Sequence, residues 1–399
     1  VIKQKSYKFR IYPNQEQQVY FAKAFGSVRF LYNKMLAERK ELYEIYKEDK
    51  EQLKAHKPKT CTEYKKDNPW LYEIDSLALA NAQINLQTAY NKFFRGKGKV
   101  GFPSFKSKHK DKDSYTTNNQ GGNIRIENKH ILLPKIKGIR IVQHREIPNT
   151  ETIKTVTISR TPTNKYFVAI LTEREEEKTQ IIDIKSAIGL DFSMPHFFVD
   201  SQNNKGEYPK FYRQAQENLA REQRKLSHCK KGSNNYHKQK LVVALIHEKI
   251  SNQRKDWLNK LSCQIAKDND IVCLEDLNMK GMSQTLNFGK SVSDNGWGQF
   301  VNMLNYKAKS VIKVDKWYPS SKICNHCGRK NVNLMLNDRV WNCSECGAAI
   351  ERDYNASQNI LDEGMRLVRK NRKNKTVGTT GLAYLCLAQQ GYRVGSHCL

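Results

Sequence analysis

The sequence predicts two domains of different fold class: an antiparallel β domain with a helical insertion, and an α/β core with a cysteine-rich insertion. Apolar residues alternate with polar ones over residues 1–13 and again over residues 113–175. Between these ranges the apolar residues recur at three- and four-residue spacing, which is typical of helices. After an acidic linker, EREEEKTQ, short apolar segments alternate with long basic helical ones, which indicates an α/β sheet.

The first domain begins with a strand and continues into helices. Apolar side chains alternate from Tyr7 to Ile11, as in a strand with one buried face. Asn14 is suited to cap a long helix, and Asp75 or Ser76 is suited to cap a second one. The glycines, proline and lysines of FRGKGKVGFPSFKSK end that helix in a basic loop. Residues 14–112 are therefore predicted to be a helical insertion within the β domain.

The α/β core is predicted over residues 185–362. Its buried strands are AIGLDFS, DIVCLED and SVIKV, and two long basic helices lie between the first two of them. A cysteine ribbon at residues 319–350 interrupts the core before a final helix begins near Asp353. Residues 363–399 are basic and then of mixed apolar composition, so we expect them to form a disordered tail.

The charge of the chain indicates a polyanionic partner. There are 69 lysines and arginines against 40 acidic residues, a formal net charge of +29, which exceeds what solubility requires. Basic runs recur among aromatic residues, a combination that favours nucleic acid over an acidic membrane surface. No segment approaches the roughly 18 consecutive apolar residues of a membrane helix, and the N-terminus lacks the apolar centre of a signal peptide. We therefore expect a cytoplasmic protein.

Four of the ten cysteines are paired in a pattern typical of a structural zinc site. Cys324 and Cys327 flank two residues, as do Cys343 and Cys346, and fifteen residues separate the pairs. A thioredoxin-like redox pair would need one such motif at a helix start, so one structural Zn²⁺ is the better interpretation. His326 lies between two ligands and could substitute for one, although a surface position suits it better.

Three carboxylates are candidates for a catalytic metal site. Asp191 and Glu275 each end an apolar segment that is predicted to be a buried strand, and Asp353 opens the final helix. Singly, each could simply cap a helix. Together they match the places where an RNase H-like sheet carries the acids that hold two divalent ions for phosphodiester hydrolysis. Asp276 follows Glu275 directly and should point to the opposite face, so Glu275 is the preferred candidate.

The chain resembles the TnpB family, the RNA-guided nucleases of bacterial insertion sequences, which are related to compact type V CRISPR effectors. The resemblance covers nearly the whole chain. It is carried by the following segments: KFRIYPNQEQ, GSVRFLYN, NLQTAYNKFFRG, VGFPSFK, GLDFS, HEKISNQRKDWLNKLS, LEDLNMKGM, YPSSKICNHCG, WNCSECG and ERDYNASQNI.

The resemblance implies specific roles for these segments. Asp191, Glu275 and Asp353 would be the Mg²⁺-binding residues of a RuvC-type nuclease domain. Residues 1–13 and 113–175 would form a wedge domain, and residues 14–112 the recognition lobe. The family implies a guide RNA from the transposon end and double-stranded target DNA beside a short motif, in a bacterial cytoplasm and nucleoid-associated when bound to DNA.

Some features differ from the family pattern or leave alternatives open. Many relatives have glycine two residues after the first acid, where this chain has Ser193. Ser76, Ala80 and Asn81 lie on the helix that resembles the motif-reading one, but Ser76 and Ala80 are short and leave the motif unpredictable. A nuclease-inactive RNA-guided repressor and a compact CRISPR effector are the alternatives. A DDE transposase is disfavoured because it orders its acids Asp, Asp, Glu.

Overall fold

The computed structural model describes residues 2–56, 58–96, 100–175, 184–285, 289, 294–335 and 337–373. It divides the chain into two compact units near residue 178. Each unit has its own core.

The first unit is built on a seven-stranded antiparallel sheet with the strand order β2-β6-β7-β1-β5-β4-β3. The strands are β1 (Ile2–Tyr12), β2 (Asp113–Asn118), β3 (Arg125–Glu127), β4 (His130–Leu133), β5 (Ile136–Val142), β6 (Thr152–Arg160) and β7 (Tyr166–Glu175). The alternating residues Tyr7, Phe9 and Ile11 are buried, as the period-two pattern predicts.

Helices lie between β1 and β2 of this sheet. They are α1 (Gln15–Tyr46), α2 (Lys50–Ala55), α3 (Cys61–Asp67), a 3₁₀-helix (Pro69–Glu73) and α4 (Ser76–Arg95). Asn14 caps α1 by accepting a hydrogen bond from the Gln17 amide, and the Gln17 side chain accepts one from the Asn14 amide. Asp75 caps α4 through the Leu77 amide. Since α1 and α4 also pack on the sheet through a common core, the helices are an insertion in the β domain.

The second unit contains a five-stranded sheet with the order β10-β9-β8-β11-β12. Its strands are β8 (Ala187–Ser193), β9 (Phe197–Asp200), β10 (Lys205–Gly206), β11 (Ile271–Glu275) and β12 (Ser310–Val314). Strands β8, β11 and β12 run parallel, whereas β9 and β10 pair in antiparallel fashion. A separate two-stranded sheet comprises β13 (Val340–Asn342) and β14 (Ala349–Glu351).

The helices of the second unit cover both faces of the five-stranded sheet. They are α5 (Phe211–His228), α6 (Asn234–Asp268), α7 (Met279–Thr285), α8 (Trp297–Lys307) and α9 (Arg352–Lys373). Leu190 and Leu274 pack against α6 and α8 on one face, while Cys273 packs against Ile360 of α9 on the other. None of the helices in the described residues is long and apolar enough to cross a membrane.

Two glycines allow α9 to lie directly on the sheet. A side chain at Gly189 of β8 would collide with the backbone carbonyl of Ser357, and its Cβ would lie 2.9 Å from the Cβ of Leu361. A side chain at Gly364 of α9 would collide with Cys273 of β11. Because neither glycine carries a side chain, α9 can lie close to the strands. This close contact sets the distance between the N-terminal part of α9 and the sheet.

The prediction of a disordered tail from residue 363 is wrong for the first part of that segment. Residues 363–373 continue α9, and Leu361, Met365 and Val368 pack against the sheet at helical spacing. The basic residues around them obscured this apolar stripe in the sequence. The rest of the expected tail, residues 374–399, lies outside the described residues.

Candidate carboxylate and zinc centres

Asp191 and Glu275 project from neighbouring strands at the same level. Leu190 lies opposite Leu274 in the parallel pairing of β8 and β11, and each leucine is followed directly by one of the two acids. Successive side chains on a strand point to opposite faces. Since the leucines face α6 and α8, the two acids face α9. Glu275 also lies opposite Val314 of β12.

Asp353 reaches this place from the first turn of α9. The hydroxyl of Ser193, which lies on the same face of β8 as Asp191, donates a hydrogen bond of 3.2 Å to Asp353 Oδ2. The Gly189–Ser357 approach holds the helix over the same strand one turn further along. The structure therefore brings the three sequence-predicted acids to one end of the sheet, on its α9 face.

The electrostatics of the three acids show that they interact. The pKa of Asp191 lies well above its usual value because the group is surrounded by protein, and because the charges of Glu275 and Asp353 oppose its ionisation. Arg352 and Arg339 partly offset this effect. Burial also raises the pKa of Glu275, against a hydrogen bond from Ser320 that lowers it. A buried carboxyl whose ionisation two neighbouring acids oppose lies in a site that a bound cation would stabilise.

Two serine hydroxyls hold two of the carboxylates. Ser193 donates to Asp353, and Ser320 donates to Glu275 Oε1. Both serines are buried. Partners of this kind orient ligand groups and tune their affinity for metals. Sequence reasoning treated Ser193 only as a departure from a family pattern and did not single out Ser320, although its place in the segment YPSSK before the first ligand cysteine was an available signal.

Arg339 is a further residue of the site that sequence reasoning missed. Its Nη1 lies 3.5 Å from both Oδ1 and Oδ2 of Asp353, and its side chain is 61% exposed. It directly precedes β13, and the pairing of β13 with β14 places it beside Arg352, whose amide donates a hydrogen bond to the Arg339 carbonyl, and so next to Asp353. A guanidinium that is exposed on one side and faces a carboxylate on the other can contact an incoming phosphate.

The acid next to Glu275 has a different environment. Asp276 is exposed and accepts a hydrogen bond of 2.7 Å from Lys313 Nζ. Its partner thus differs from that of Glu275, which is bound by Ser320. Asp276 therefore offers a matched comparison for experiments on Glu275.

The four ribbon cysteines meet the geometric requirement for a metal ion. Among the described residues, they are the group of potential ligands whose donor atoms all lie within 4.8 Å of one another; the three carboxylates do not form such a group. The sulfurs of Cys324 and Cys346 are 3.7 Å apart, and those of Cys327 and Cys343 are 3.5 Å apart. A tetrahedral zinc site with Zn–S bonds of about 2.3 Å has sulfur–sulfur edges of about 3.8 Å. The cluster therefore fits a zinc ion with a closed, structural shell.

Each cysteine pair is followed by a glycine in the left-handed region of backbone conformation. Gly328 has φ +77° and Gly347 has φ +70°. Their amides donate hydrogen bonds to the carbonyls of Cys324 and Cys343, which closes each turn. Residues with a Cβ rarely adopt this conformation, so the glycines allow the two tight turns that carry the sulfurs.

Buried asparagines fasten the ribbon to α9. Asn355 donates a hydrogen bond of 2.7 Å to the carbonyl of Ile323, and Asn359 donates one of 2.7 Å to the carbonyl of Ser320. The amide of Asn325, between the first two ligand cysteines, donates to Asn355 Oδ1 at 2.9 Å. The helix that carries Asp353 is therefore connected directly to the first turn of the cysteine ribbon.

Family comparisons match three parts of the chain. Residues 169–286 match the OrfB_IS605 family, described as "Probable transposase", and residues 297–360 match the Cas12f1-like TNB domain. Residues 3–48 match a domain described as "Helix-turn-helix" of the same OrfB group. In this chain, however, that segment comprises most of strand β1 and the whole of the single continuous helix α1, so the description does not apply to its local structure.

Comparisons with whole proteins cover almost the full length. A Streptomyces pristinaespiralis protein named "Putative RNA-guided DNA endonuclease" is 32% identical over 391 residues, 95% of each chain. The Escherichia coli K12 protein "Putative RNA-guided DNA endonuclease InsQ" is 29% identical, over 90% of this chain and 92% of its own. A solved structure of Cas12f1 with sgRNA and target DNA matches 86% of this chain and 82% of its own, with a TM-score of 0.55 and 15% identity.

The fold is thus that of the Cas12f1 class of proteins, and the match to the Cas12f1-like TNB domain includes the four cysteines and Asp353 of this chain. Within that class, the chain belongs to the TnpB family, the OrfB proteins of IS605-type elements.

Proposed function

We propose that this protein is an RNA-guided DNA endonuclease that hydrolyses phosphodiester bonds with two Mg²⁺ ions held by Asp191, Glu275 and Asp353. The observation that carries the proposal is the convergence of these acids on the α9 face of the sheet, where the charges of Glu275 and Asp353 oppose the ionisation of Asp191. The names of the relatives that match nearly the whole chain support the reaction and the substrate.

The residues of the site have separate tasks in this reaction. When bound, the two ions supply a hydroxide nucleophile at neutral pH and stabilise the leaving oxygen. Asp191 and Glu275 hold the ions from the rigid strand ends, and Asp353 closes the site from α9. Ser193 and Ser320 orient two of these carboxylates. Arg339 exchanges its contact with Asp353 for the phosphate of the substrate, which neutralises the charge that develops there.

The two structural units fit a division into guide-binding and cutting parts. We assign residues 185–362 to an RNase H-like, RuvC-type nuclease domain in which residues 319–350 form the zinc ribbon. Residues 1–13 and 113–175 form the wedge domain, and residues 14–112 form the recognition lobe. The insertion of α1 to α4 between β1 and β2 of one sheet supports this arrangement.

The partners follow from charge and from the relatives. A net charge of +29 suits a protein that carries a guide RNA and a DNA duplex, with base pairing providing most of the sequence selection. We propose that the guide derives from the transposon end and that the complex acts in the bacterial cytoplasm, on the nucleoid when bound to DNA.

On α4, the helix proposed to read the target-adjacent motif, Ser76 accepts a hydrogen bond from Lys65 and Asn81 donates one to Asn118.

One experiment tests the assigned chemistry. The protein is purified with RNA from its own locus, the RNA is sequenced, and a plasmid with the matching target is incubated with the complex and Mg²⁺. We expect cleavage by the wild-type protein, and binding without cleavage by Asp191→Ala and Glu275→Gln.

The matched control is Asp276→Asn, which alters the neighbouring exposed acid and should leave cleavage intact. Cleavage that persists in Asp191→Ala would contradict the proposed site. Binding without cleavage in the wild-type protein would favour a repressor.

A further inference from the structure

Trp317 is the most exposed of the large hydrophobic side chains in the described residues. Its relative exposure is 81%. A tryptophan buries more apolar area than almost any other side chain when it packs, so leaving it in water forgoes a large stabilisation. The position of Trp317 in the second unit indicates why this side chain is exposed.

Trp317 lies in a segment that is tied to Glu275 at both ends. Val314, three residues before it, lies opposite Glu275 in the pairing of β11 and β12. Ser320, three residues after it, donates a hydrogen bond to the Glu275 carboxylate. Since a residue spans at most about 3.6 Å of chain, the Trp317 backbone lies within about 11 Å of both contacts. The indole is therefore exposed beside the proposed cutting site.

The turn that presents the indole is held by hydrogen bonds. The Trp317 amide donates to Asp315 Oδ1 at 2.8 Å, and the Tyr318 amide donates to the Asp315 carbonyl at 2.9 Å. The Tyr318 side chain packs into the core between the sheet and α9. Because the residues on each side are fixed, the position of Trp317 is set by the fold.

The surroundings of the indole suit a nucleic acid. The Lys316 ammonium lies 4.9 Å from the centre of the ring, so the aromatic face is accompanied by a positive charge. Aromatic faces next to basic side chains are how proteins bind the bases of single strands, and each stacked base contributes about 1–3 kcal/mol. Inside a duplex the neighbouring bases cover both faces of a base, so a protein ring can stack on it where the strand is unpaired. Guide pairing with one strand leaves the other strand unpaired.

We propose that Trp317 is a stacking platform for a nucleobase of single-stranded DNA adjacent to the phosphate at Glu275. The inference rests on the proposed function for the identity of the strand. Trp317 positions the substrate and does not contribute to the bond-breaking step. Trp317 thereby fixes where along the strand the scissile phosphate lies.

The first test measures affinity for a fluorescein-labelled single-stranded oligonucleotide. The protein–RNA complex is used in Ca²⁺ in place of Mg²⁺, so that binding is read without cleavage. Trp317→Ala and Trp317→Leu should weaken binding about 5- to 150-fold, the range that the loss of one stacked base implies. Trp317→Phe should remain within about threefold of wild type, because it keeps an aromatic face.

Control substitutions separate stacking from other roles. Val332→Ala alters another exposed apolar residue of the ribbon and should leave affinity unchanged. All variants should keep the melting temperature of the wild-type protein, since the indole is exposed. If Trp317→Leu binds DNA as tightly as wild type, the inference is overturned. It is also overturned if Trp317→Ala changes the oligomeric state of the protein but not its affinity for DNA.

The second test locates the contact. Single 5-iodouracil substitutions are placed along the DNA strand and irradiated in the complex, and the crosslinked peptide is identified by mass spectrometry. We expect the peptide containing Trp317 to crosslink at one or two adjacent positions only. Crosslinks confined to other peptides would overturn the inference. Crosslinking to Trp317 by a complex that does not cut in Mg²⁺ would overturn the proposed function and leave this inference standing.

Discussion

Ser193 and Asp353 are joined by a 3.2 Å hydrogen bond although 160 residues separate them in the chain. The bond connects the end of β8 to the first turn of α9, which are the two elements that carry the first and last acids of the proposed site. Ser193, which the sequence marks only as a departure from the expected pattern, thus has a partner within the proposed site.

Replacing Ser193 should therefore weaken metal binding more than stability. In Ser193→Ala and Ser193→Gly, Asp353 loses its hydroxyl partner and becomes less well oriented. We expect the Mg²⁺ concentration for half-maximal cleavage to rise about tenfold. Titration of Mg²⁺ under single-turnover conditions measures it. An unchanged Mg²⁺ requirement would show that the bond does not organise the site.

The stability of the metal-free protein should depend on Asp191 and on pH. The pKa of Asp191 is raised in the folded state, so the folded protein binds more protons than the unfolded chain. The stability associated with the protonated group is present below the unfolded pKa and is lost as the pH rises through the raised folded pKa. We expect Asp191→Asn to melt at a higher temperature than wild type at neutral pH without metal, with a difference that shrinks in acid.

Bound Mg²⁺ should reverse the order of the melting temperatures of wild type and Asp191→Asn. Mg²⁺ should raise the melting temperature of the wild-type protein but not that of Asp191→Asn, because a bound cation stabilises the ionised carboxylate. Calorimetry at several pH values, with and without Mg²⁺, measures both effects. Equal melting temperatures of the two proteins at every pH would contradict the electrostatic account of the site.

Arg339 should affect cleavage and metal binding in opposite directions. Its guanidinium competes with a cation for Asp353 and then contacts the phosphate. Arg339→Ala should reduce the cleavage rate at saturating Mg²⁺ about 10- to 100-fold, while the Mg²⁺ requirement stays the same or falls. Arg339→Lys should recover only part of the rate, because an ammonium lacks the bidentate geometry. A raised Mg²⁺ requirement with an unchanged rate would refute this role.

Loss of zinc should stop cleavage through α9. Cys343→Ser should lower the zinc content and the activity together, because the ribbon turn that Asn355 and Asn359 hold is no longer fixed. Asn359→Ala separates the two effects, since it leaves the four cysteines in place. It should keep zinc, lose about 1–3 kcal/mol of stability and reduce cleavage. Full activity in zinc-free protein would show that the ribbon does not support the site.

The two contact glycines should differ in their tolerance of alanine. At Gly189 the obstacle is the backbone carbonyl of Ser357, which cannot move without shifting α9, so Gly189→Ala should abolish cleavage and strongly destabilise the unit. At Gly364 the obstacle is the Cys273 side chain, so Gly364→Ala should cost about 1–3 kcal/mol. The double variant Cys273→Ala/Gly364→Ala should recover part of this loss in denaturant unfolding. Equal effects of the two single variants would contradict the contact geometry.

The sequence was most informative where function depends on local pattern. The apolar segments that end at Asp191 and Glu275, and the spacing of the four cysteines, are visible in short windows of the chain. The contact of Ser320 with Glu275 depends on how the ribbon packs beside the sheet, so no local pattern reveals it. The contact of Arg339 with Asp353 follows from the pairing of β13 with β14, two three-residue strands that the sequence analysis did not identify. The C-terminal half of α9 was missed because its basic residues hide the apolar positions that face the sheet.

The asparagine contacts between the ribbon and α9 also limit how the protein can be recombined with its relatives. Asn325 bonds to Asn355, Asn359 and Asp362, while the carbonyls of Ser320 and Ile323 accept from the same helix. A ribbon transplanted alone would meet a foreign helix surface and leave these groups without partners. The smallest segment that can be exchanged intact therefore runs from Ser320 to Asp362, and a chimera built on that boundary carries its own Asp353 with it.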